Sequence, residues 1–391
     1  MEDSNPKKII RMTTIPGSMR KLLQNQLKFM SQHGYEVVAL SSDDECFDDM
    51  LHEQGDIRGI RVNMERHTSP WKDLKALIKI YRVFREEKPF IVHTHTPKAG
   101  LLGMLAAKLA KVPNRLHTTA GLPLLVYSGM YRKVLNAMER LTNACATQVF
   151  PNSFNMMKTM EELKLCKPKK MQVIGKGSSN GIDTEHFSVS KTVEDTGKDR
   201  YAWRSELGLA EDDFAFVFVG RVVKDKGINE LVNCMRRLLP RFSNCKLIMV
   251  GRYESDLDPI APENVEFFKN DKSSIFMGWQ KDVRPFFMAA DALVFPSYRE
   301  GFPNVVMQAG AMGLPSIVTD INGCNEIIED GKNGRIIPPQ NEEALYKMMG
   351  WFLSNSNEVI QMADNARGMI VSRYERQTIW QEILKVYNSL T

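Results

Sequence analysis

Short apolar runs alternate along this chain with segments whose apolar residues recur at helical spacing. Ala292–Pro296 is typical of the runs and has the composition of a buried parallel strand, whereas Leu22–Gln32 places its apolar residues on one face of a helix. This regular alternation predicts parallel, doubly wound sheets covered by helices. The pattern stops from Gly175 to about Arg200, where Gly, Ser, Thr and charged residues prevail, and we predict a linker between two α/β domains there.

The pattern predicts the positions of the individual elements. Strands are predicted at Lys8–Met12, Tyr35–Leu40, Ile57–Val62, Phe90–His93, Arg115–Thr118, Gln148–Asn152, Met171–Ile174, Ala215–Gly220, Lys246–Gly251, Val265–Phe268, Ile275–Met277, Ala292–Pro296, Ser316–Thr319 and Gly334–Ile337. Helices are predicted at Leu22–Gln32, Pro70–Glu87, Gly100–Ala110, Tyr201–Gly208, Val305–Met312 and Ala344–Leu390, the last with a kink near Tyr374. Thr13–Ser18 is predicted to be a loop.

The length and composition indicate a globular protein of two domains. A chain of 391 residues exceeds one typical hydrophobic core, and 43% hydrophobic with 25% charged residues is ordinary for a soluble protein. No apolar run is long enough for a membrane-spanning helix, and the N-terminus lacks the apolar segment of a signal peptide. The six cysteines are scattered without the spacing of a metal site. We therefore expect a cytoplasmic protein with reduced thiols.

Positive charge is concentrated in the first half of the chain. Up to residue 190 there are 28 Lys and Arg against 19 Asp and Glu, a net charge of +9, and the remainder carries −4. The predicted helix at Pro70–Glu87 is basic, and Leu122–Lys133 is apolar with a basic flank. Both features suit contact with an anionic membrane surface, although a solvated helix face and a loop covering the core are the alternatives. We expect no nucleic-acid partner.

A loop with functional side chains follows the predicted strand at Ala292–Pro296. It contains Glu300 and Gly301 and leads into a predicted helix with Asn304 as its N-cap. In open α/β sheets, ligands bind at the carboxyl ends of the strands, and the free N–H groups of a helix N-terminus favour an anion. This stretch is therefore the first candidate binding site.

Two cations follow the first strand of the second predicted domain. Gly220 ends an apolar run and allows another backbone to approach closely. Arg221 comes directly after it, and Lys226 lies five residues further along the chain. A guanidinium and an ammonium group at the end of one strand suit a diphosphate, because the first offers a planar fork and the second a point charge.

The two motifs together resemble those of retaining glycosyltransferases of family 4, of the type that assembles bacterial polysaccharides. Glu300, Gly301 and Pro303 match the family's Glu-Gly-x-Pro, and residues 220–227 match its Gly-Arg-x-x-x-x-Lys-Gly. The resemblance implies the GT-B fold, in which two Rossmann-like, doubly wound parallel-sheet domains face a cleft and a C-terminal helix crosses back to the first domain. The acceptor domain would then span residues 1–185 with a helix at about 374–391, and the donor domain residues 186–373.

The resemblance also implies roles for individual residues. Arg221 and Lys226 would bind the donor pyrophosphate, and Glu300 would hold hydroxyls of the donor sugar. Position 308 would reach the ribose, and there the family has glutamate where this chain has Gln308. Further donor-binding positions implied by the family's motifs are Gly17, Ser18, Gly220, Gly278, Trp279, Gly301, Phe302, Pro303 and Asn304.

Histidines near the ends of two strands are the remaining catalytic candidates. His93 and His95 are spaced to share one strand face and can be zinc ligands, but no third ligand is apparent, so we predict no metal site. The family's histidine near the donor sugar, in a Thr-x-His-Gly pattern, corresponds to Ala120 here. We expect His95 or His117 to take over its role.

The function implied by the resemblance is transfer of a sugar from a nucleotide sugar, specifically a UDP-sugar, to a glycan or a polyprenyl-diphosphate-linked acceptor. The family implies retention of the anomeric configuration, no metal and no cofactor, and a place in surface polysaccharide synthesis at the cytoplasmic face of the inner membrane. A nucleotide-sugar epimerase of the same fold is one alternative. A non-catalytic nucleotide-sugar-binding protein is another, because Gln308 and Ala120 depart from the family pattern.

Overall fold

The computed structural model describes residues 6–65, 69–256 and 258–391, which divide into two compact units. The first unit comprises the chain up to Gly181 together with Gln377–Thr391, and the second unit comprises Ile182–Arg376. Within the described ranges, each unit contains one parallel sheet of six strands. Both sheets carry helices, so the predicted α/β class with doubly wound sheets is confirmed.

The first unit has the strand order β3-β2-β1-β4-β5-β6. Its strands are β1 Lys7–Met12, β2 Tyr35–Ser41, β3 Arg58–Arg61, β4 Ile91–Thr94, β5 Asn114–Thr119 and β6 Gln148–Pro151. Its helices are α1 Pro16–Leu22, α2 Gln26–Gln32, α3 Phe47–Glu53, α4 Pro70–Glu87, α5 Pro97–Leu109, α6 Gly129–Cys145 and α7 Phe154–Glu162. Successive strand residues face opposite sides, so that Ile10 packs in the core beneath α4 and α5 while Ile9 packs in a second core on the other face.

The second unit has the strand order β12-β11-β10-β7-β8-β9. Its strands are β7 Phe214–Val219, β8 Cys245–Val250, β9 Ser274–Gly278, β10 Ala292–Phe295, β11 Ser316–Thr319 and β12 Gly334–Ile337. Its helices are α8 Val189–Thr196, α9 Arg200–Glu206, α10 Ile228–Leu238, α11 Pro262–Asn270, α12 Arg284–Ala289, α13 Asn304–Ala311, α14 Cys324–Ile327, α15 Glu342–Ser354 and α16 Ser356–Tyr374.

The chain returns to the first unit at its C-terminal end. Helix α17, Arg376–Asn388, contributes Ile379, Trp380 and Tyr387 to the core on the Ile9 side of the first sheet. The crossing C-terminal helix that the resemblance implied is therefore present. The predicted kink near Tyr374 is a break between α16 and α17.

Two strand predictions are wrong. Val265–Phe268 belongs to helix α11, which begins at Pro262 and buries Phe268, because a short apolar run has no periodicity that distinguishes a strand from one helical turn. Met171–Ile174 is not a strand, and only Met171 forms an isolated bridge to Val149.

Several helix and loop boundaries also differ from the prediction. Leu22–Gln32 is not one helix: Asn25 adopts a left-handed conformation with φ of 61° and separates α1 from α2. The predicted loop at Thr13–Ser18 already contains the start of α1, since Pro16 occupies its first turn. The predicted linker from Gly175 to Arg200 includes the capped helix α8, whose N-cap Ser188 accepts a hydrogen bond from the N–H of Lys191.

The C-terminal helical region is interrupted once more than predicted, at Asn355 between α15 and α16. Throughout the described part of the chain, no helix combines the length and the apolar character needed to cross a bilayer.

Candidate active site

The candidate site of the second unit lies at the point where the order of the strands in its sheet reverses. In the strand order, β7 and β10 are neighbours, while β8 and β9 continue to one side and β11 and β12 to the other. The loops that leave two such strands diverge and open a crevice at their carboxyl ends. Arg221 and Lys226 follow β7, and Glu300 follows β10, so the fold brings the two sequence motifs to the same point.

Hydrogen bonds hold the two motif loops together. The backbone N–H of Tyr298 donates to the carbonyl oxygen of Asp225 over 2.9 Å, and the guanidinium of Arg299 lies 2.9 Å from the Asp225 carboxylate. The Tyr298 hydroxyl donates to Glu230 at the start of α10. The loop after β10 is thus fixed against the turn that carries Lys226.

Lys226 and Glu300 form a half-buried ion pair at the centre of this arrangement. The Ser297 hydroxyl lies beside both, 3.4 Å from the Lys226 ammonium nitrogen and 3.1 Å from Glu300 Oε1. Ser297 is fully buried and was not singled out from the sequence; the only signal was its position directly after a strand and a proline. A cation, a carboxylate and a hydroxyl here can bind a phosphate oxygen and sugar hydroxyls.

Glycines permit the close backbone contacts on which the site depends. A Cβ atom on Gly227, which has a φ of +70°, would lie 2.2 Å from the carbonyl oxygen of Pro296. A Cβ atom on Gly323, with a φ of +76°, would lie 2.7 Å from the carbonyl oxygen of Gly301. The neighbouring Asn322 donates its side-chain amide to that same carbonyl, so the Glu300 loop is supported from both sides.

The other predicted donor-binding residues surround this centre at different distances along the sheet edge. Arg221 is exposed and its guanidinium lies 3.1 Å from the carboxylate of Glu254. Gly278 ends β9, and its carbonyl accepts a hydrogen bond from Gly251 at the end of β8. Trp279 follows and is largely exposed. Gly220 accommodates Gly251 closely, since a Cβ atom on Gly251 would lie 1.6 Å from the Gly220 carbonyl oxygen.

Helix α13 begins directly after the Glu300 loop. Its first residue is Asn304 and its N-cap is Pro303, so the prediction that Asn304 is the N-cap is wrong by one position, and no side chain caps the helix. Phe302 packs edge-on against Tyr374 and anchors the loop. Gln308 lies one turn into α13 and is half-buried, on the same helical face as Asn304.

The histidines of the first unit lie on two faces of its sheet. His93 and His95 share one face, with ring centroids 4.2 Å apart, as their spacing predicts. His117 lies on the opposite face, where its Nδ1 is 2.8 Å from the Thr94 hydroxyl. The two candidates for the missing family histidine, His95 and His117, are therefore not brought together, and both are almost fully buried.

A polar network fixes His93 and His95. The buried guanidinium of Arg11 donates to His95 Nε2 over 3.1 Å and to the Tyr387 hydroxyl over 2.8 Å, and the same hydroxyl is hydrogen-bonded to His93 Nδ1 over 2.6 Å. Burial and the nearby Arg11 charge hold the pKa of His93 well below its usual range, and burial together with the neighbouring His93 does the same for His95. Burial also lowers the pKa of His117 to about 4.

Gly17 and Ser18, predicted as donor-binding residues at the end of a loop, lie instead in the first turn of α1. The residues before them border the switch point of the first sheet, between β1 and β4. There the hydroxyls of Thr14 and Thr96 are 2.7 Å apart and join the two loops. Among the described residues, no group of three or more His, Cys, Asp or Glu side chains is arranged to hold a metal ion.

Comparisons with known proteins agree with this architecture. The model of the family described as "Glycosyl transferase 4-like domain" matches residues 18–177, and that described as "Glycosyl transferases group 1" matches residues 199–369. The capsular polysaccharide biosynthesis glycosyltransferase CapM of Staphylococcus aureus is 30% identical over 383 residues, which cover 98% of this chain and 97% of the relative. The chain belongs to the family 4 glycosyltransferases.

A second relative of this glycosyltransferase is the UDP-Gal:alpha-D-GlcNAc-diphosphoundecaprenol alpha-1,3-galactosyltransferase of Escherichia coli. It is 30% identical over 285 residues, which cover 70% of this chain and 68% of the relative. The crystal structure of Anabaena HepE in complex with UDP superposes with a TM-score of 0.80 at 19% identity, covering 98% of this chain and 100% of the other. This likeness confirms the GT-B fold class.

Proposed function

We propose that this glycosyltransferase moves a sugar from a UDP-sugar to a lipid-diphosphate-linked acceptor, with retention of the anomeric configuration, in the assembly of a surface polysaccharide. The carrying observation is the half-buried group of Lys226, Glu300 and Ser297 at the switch point of the second sheet. The donor type is supported by relatives and structural neighbours whose names include UDP or UDP-galactose, and the acceptor type by a relative that acts on a diphosphoundecaprenol.

The geometry supports a division of work between cation and carboxylate. A donor diphosphate would take the Lys226 ammonium group from Glu300, and Arg221 would bind the same diphosphate from the end of β7. Glu300, released from Lys226, would accept hydrogen bonds from hydroxyls of the donor sugar. The backbone N–H groups of Phe302 and Asn304, where α13 begins, would add donors to a phosphate oxygen.

The reaction then needs no side chain as nucleophile. The bond between the anomeric carbon and the diphosphate oxygen breaks, and the acceptor hydroxyl forms a new bond on the same face. Its proton passes to the departing phosphate oxygen. The enzyme supplies position and charge, because Arg221 and Lys226 neutralise the negative charge that develops on the diphosphate. The first unit would bind the acceptor, at the cytoplasmic face of the inner membrane.

The decisive experiment measures turnover with and without a lipid-diphosphate sugar acceptor. We expect release of UDP to depend on the acceptor, and NMR of the product to show the anomeric configuration of the donor. Free epimerised sugar without acceptor would indicate an epimerase instead, and binding of UDP-sugars with no turnover would indicate a binding protein. An inverted product would refute retention.

The same assay tests the independence from metal ions. The proposed charge stabilisation comes from Arg221 and Lys226, so turnover should survive addition of EDTA. If chelation abolished the activity and manganese restored it, the proposed independence from metal ions would be contradicted.

A further inference from the structure

The two sheets have the same strand order around their switch points. Read in the opposite direction, the second sheet is β9-β8-β7-β10-β11-β12, which corresponds strand by strand to β3-β2-β1-β4-β5-β6 of the first sheet. In this correspondence β1 takes the place of β7, and β4 takes the place of β10. Because Lys226 follows β7 and Glu300 follows β10, the loops after β1 and β4 form the equivalent crevice of the first unit.

A half-buried pair of a lysine and a carboxylate lies at this point of the first unit as well. Lys98 belongs to the first turn of α5, directly after β4, and its ammonium nitrogen lies 2.8 Å from the carboxylate of Asp73 in the first turn of α4. These side chains are 12% and 19% exposed, almost the same as the 13% and 18% of Lys226 and Glu300. Each unit thus holds a lysine against a carboxylate beside its switch point.

Two threonine hydroxyls join the loops after β1 and β4. Thr14 follows β1 and Thr96 follows β4, and their hydroxyl oxygens are 2.7 Å apart. The N–H of Thr14 donates to the Thr96 hydroxyl over 3.0 Å, and the N–H of Ala99 donates to the Thr14 hydroxyl over 3.3 Å. Only one of the two hydroxyls can donate to the other, so within the described residues the second hydroxyl proton has no acceptor. Thr14 is nonetheless buried, and a buried donor requires an acceptor.

These groups have the chemistry of an anion site. A lysine binds phosphate as a point charge on a flexible stem, so its ammonium group can pass from a carboxylate to a ligand. Asp73 retains a partner when Lys98 leaves, because its carboxylate also accepts a hydrogen bond from the N–H of Ser69 over 3.2 Å. The remaining threonine proton supplies a hydrogen bond to a phosphate oxygen. The first-unit anion site consists of Thr14, Asp73, Thr96 and Lys98.

We propose that the first-unit anion site binds the diphosphate of the lipid-linked acceptor. The inference rests on the proposed function and deepens it, because that function involves one diphosphate in the donor and another in the acceptor. Arg221 and Lys226 account for the donor diphosphate in the second unit. The acceptor diphosphate needs cations of its own, and Lys98 is a lysine at the matching position of the unit that binds the acceptor.

The test is a calorimetric titration of the UDP-saturated protein with farnesyl diphosphate. Saturation with UDP fills the donor site, so the titration measures binding of a diphosphate elsewhere. We expect the wild type to bind farnesyl diphosphate but not farnesol. Lys98→Met keeps the length of the side chain and removes its charge, so it should bind at least about tenfold more weakly, as the loss of one charged hydrogen bond allows. Lys98→Arg keeps the charge and should bind more tightly than Lys98→Met.

The partner of Lys98 distinguishes a ligand site from an ion pair that only supports the fold. Asp73→Asn removes the charge that competes for the ammonium group, so this variant should bind farnesyl diphosphate at least as tightly as the wild type does. If the pair only supported the fold, both Asp73→Asn and Lys98→Met would lower the melting temperature and neither would change the affinity. Lys108→Met is the matched control, because Lys108 is an exposed lysine of the same helix, and its affinity should equal that of the wild type.

Three results would overturn the proposal. The first is equal affinity of the wild type and Lys98→Met for farnesyl diphosphate. The second is a loss of affinity for UDP in Lys98→Met, which would assign Lys98 to the donor diphosphate instead. The third is equal binding of farnesol and farnesyl diphosphate, which would show that the apolar chain is recognised rather than the diphosphate.

The proposal and the proposed function fail in distinguishable ways. In transfer to a short-chain lipid-diphosphate sugar, Lys98→Met should raise the KM for the acceptor at least about tenfold and leave the KM for the donor unchanged. Transfer by Lys98→Met with the acceptor KM of the wild type would refute the anion site and leave the function intact. Binding of farnesyl diphosphate that depends on Lys98, without transfer to any lipid-diphosphate acceptor, would refute the function and leave the diphosphate site intact.

Discussion

The contact between Lys226 and Glu300 determines what single residues of the donor site are expected to do. Lys226 is half-buried and bonded to Glu300 and Ser297, whereas Arg221 is exposed and paired with Glu254. A charged hydrogen bond to a diphosphate contributes about 1.5–3 kcal/mol, and less where solvent screens it. We therefore predict that Lys226→Ala weakens binding of the donor nucleotide more than Arg221→Ala does, by about tenfold or more.

Calorimetric titration with UDP measures this difference. Lys224→Ala is a matched control, because Lys224 is an exposed lysine of the same turn. The affinity of the Lys224→Ala variant for UDP should equal that of the wild type. Unchanged affinity for UDP in both the Lys226 and the Arg221 variant would contradict the assignment of these two residues to the donor diphosphate.

Gln308 is the second residue whose chemistry is testable. It lies on the same face of α13 as Asn304, the first residue of that helix, and the family resemblance assigns its position to the ribose hydroxyls. An ionised glutamate accepts more hydrogen bonds there than an amide, and a charged acceptor is worth about 1 kcal/mol more than a neutral one. Gln308→Glu should raise kcat/KM by about fivefold, the factor that corresponds to about 1 kcal/mol. An equal or lower kcat/KM would show that position 308 acts differently in this enzyme.

At the scale of elements, the strands β4 and β5 carry histidines that are buried in their neutral form. The pKa of His117 falls from the ordinary value of 6.5 to about 4 on folding, chiefly because burial disfavours the charged ring. Between these values the unfolded chain binds more protons than the folded one. The contribution of His117 to the free energy of unfolding should therefore be fully present above pH 6.5 and should decrease by about 3 kcal/mol as the pH falls toward 4.

His93 and His95 act in the same direction, since their pKa values are also lowered. Glu139 on α6 acts in the opposite direction, because burial raises the pKa of its carboxyl to about 7 and its contribution is lost as the pH rises. The informative measurement is thus the slope of the unfolding free energy against pH, obtained from denaturant unfolding of the wild type and of His117→Gln at several pH values. The variant should lose less stability between pH 6.5 and 4, and identical slopes would contradict the buried neutral state of His117.

At the scale of the whole molecule, the two ends of the chain depend on each other. Tyr387, near the C-terminus, bonds Arg11 of β1 and His93 of β4, and it is fully buried. Tyr387→Phe would leave a buried guanidinium N–H and a histidine nitrogen without their partner. We predict a loss of about 1–3 kcal/mol in the stability of the first unit, with UDP binding unchanged.

Hydrogen exchange of β1 and β4 and a calorimetric titration with UDP measure the two effects separately. Tyr201→Phe is the control, because this tyrosine is 72% exposed in the second unit. A variant Tyr387→Phe with wild-type exchange rates in β1 and β4 would show that the network does not support the sheet.

The sequence by itself determined the elements whose signals are local. Buried parallel strands such as β10 and β11 read as continuous apolar runs, and α4 was predicted with its observed bounds because its apolar period and its flanking proline are unambiguous. The motif loops after β7 and β10 were recognisable because each combines a strand end with a rare set of residues. Short apolar runs such as Val265–Phe268 were misassigned because one helical turn and a short strand have the same composition.

Only the tertiary structure decided which of these elements are neighbours. Nothing in the chain between Lys226 and Glu300 indicates that β7 and β10 are adjacent, and it is this strand order that lets the ammonium group, the carboxylate and the Ser297 hydroxyl meet. The opposite faces taken by His95 and His117 likewise depend on which side of each element the rest of the fold covers. Local patterns specify helices and strands, whereas the pairing of distant segments is selected by the burial of the whole core.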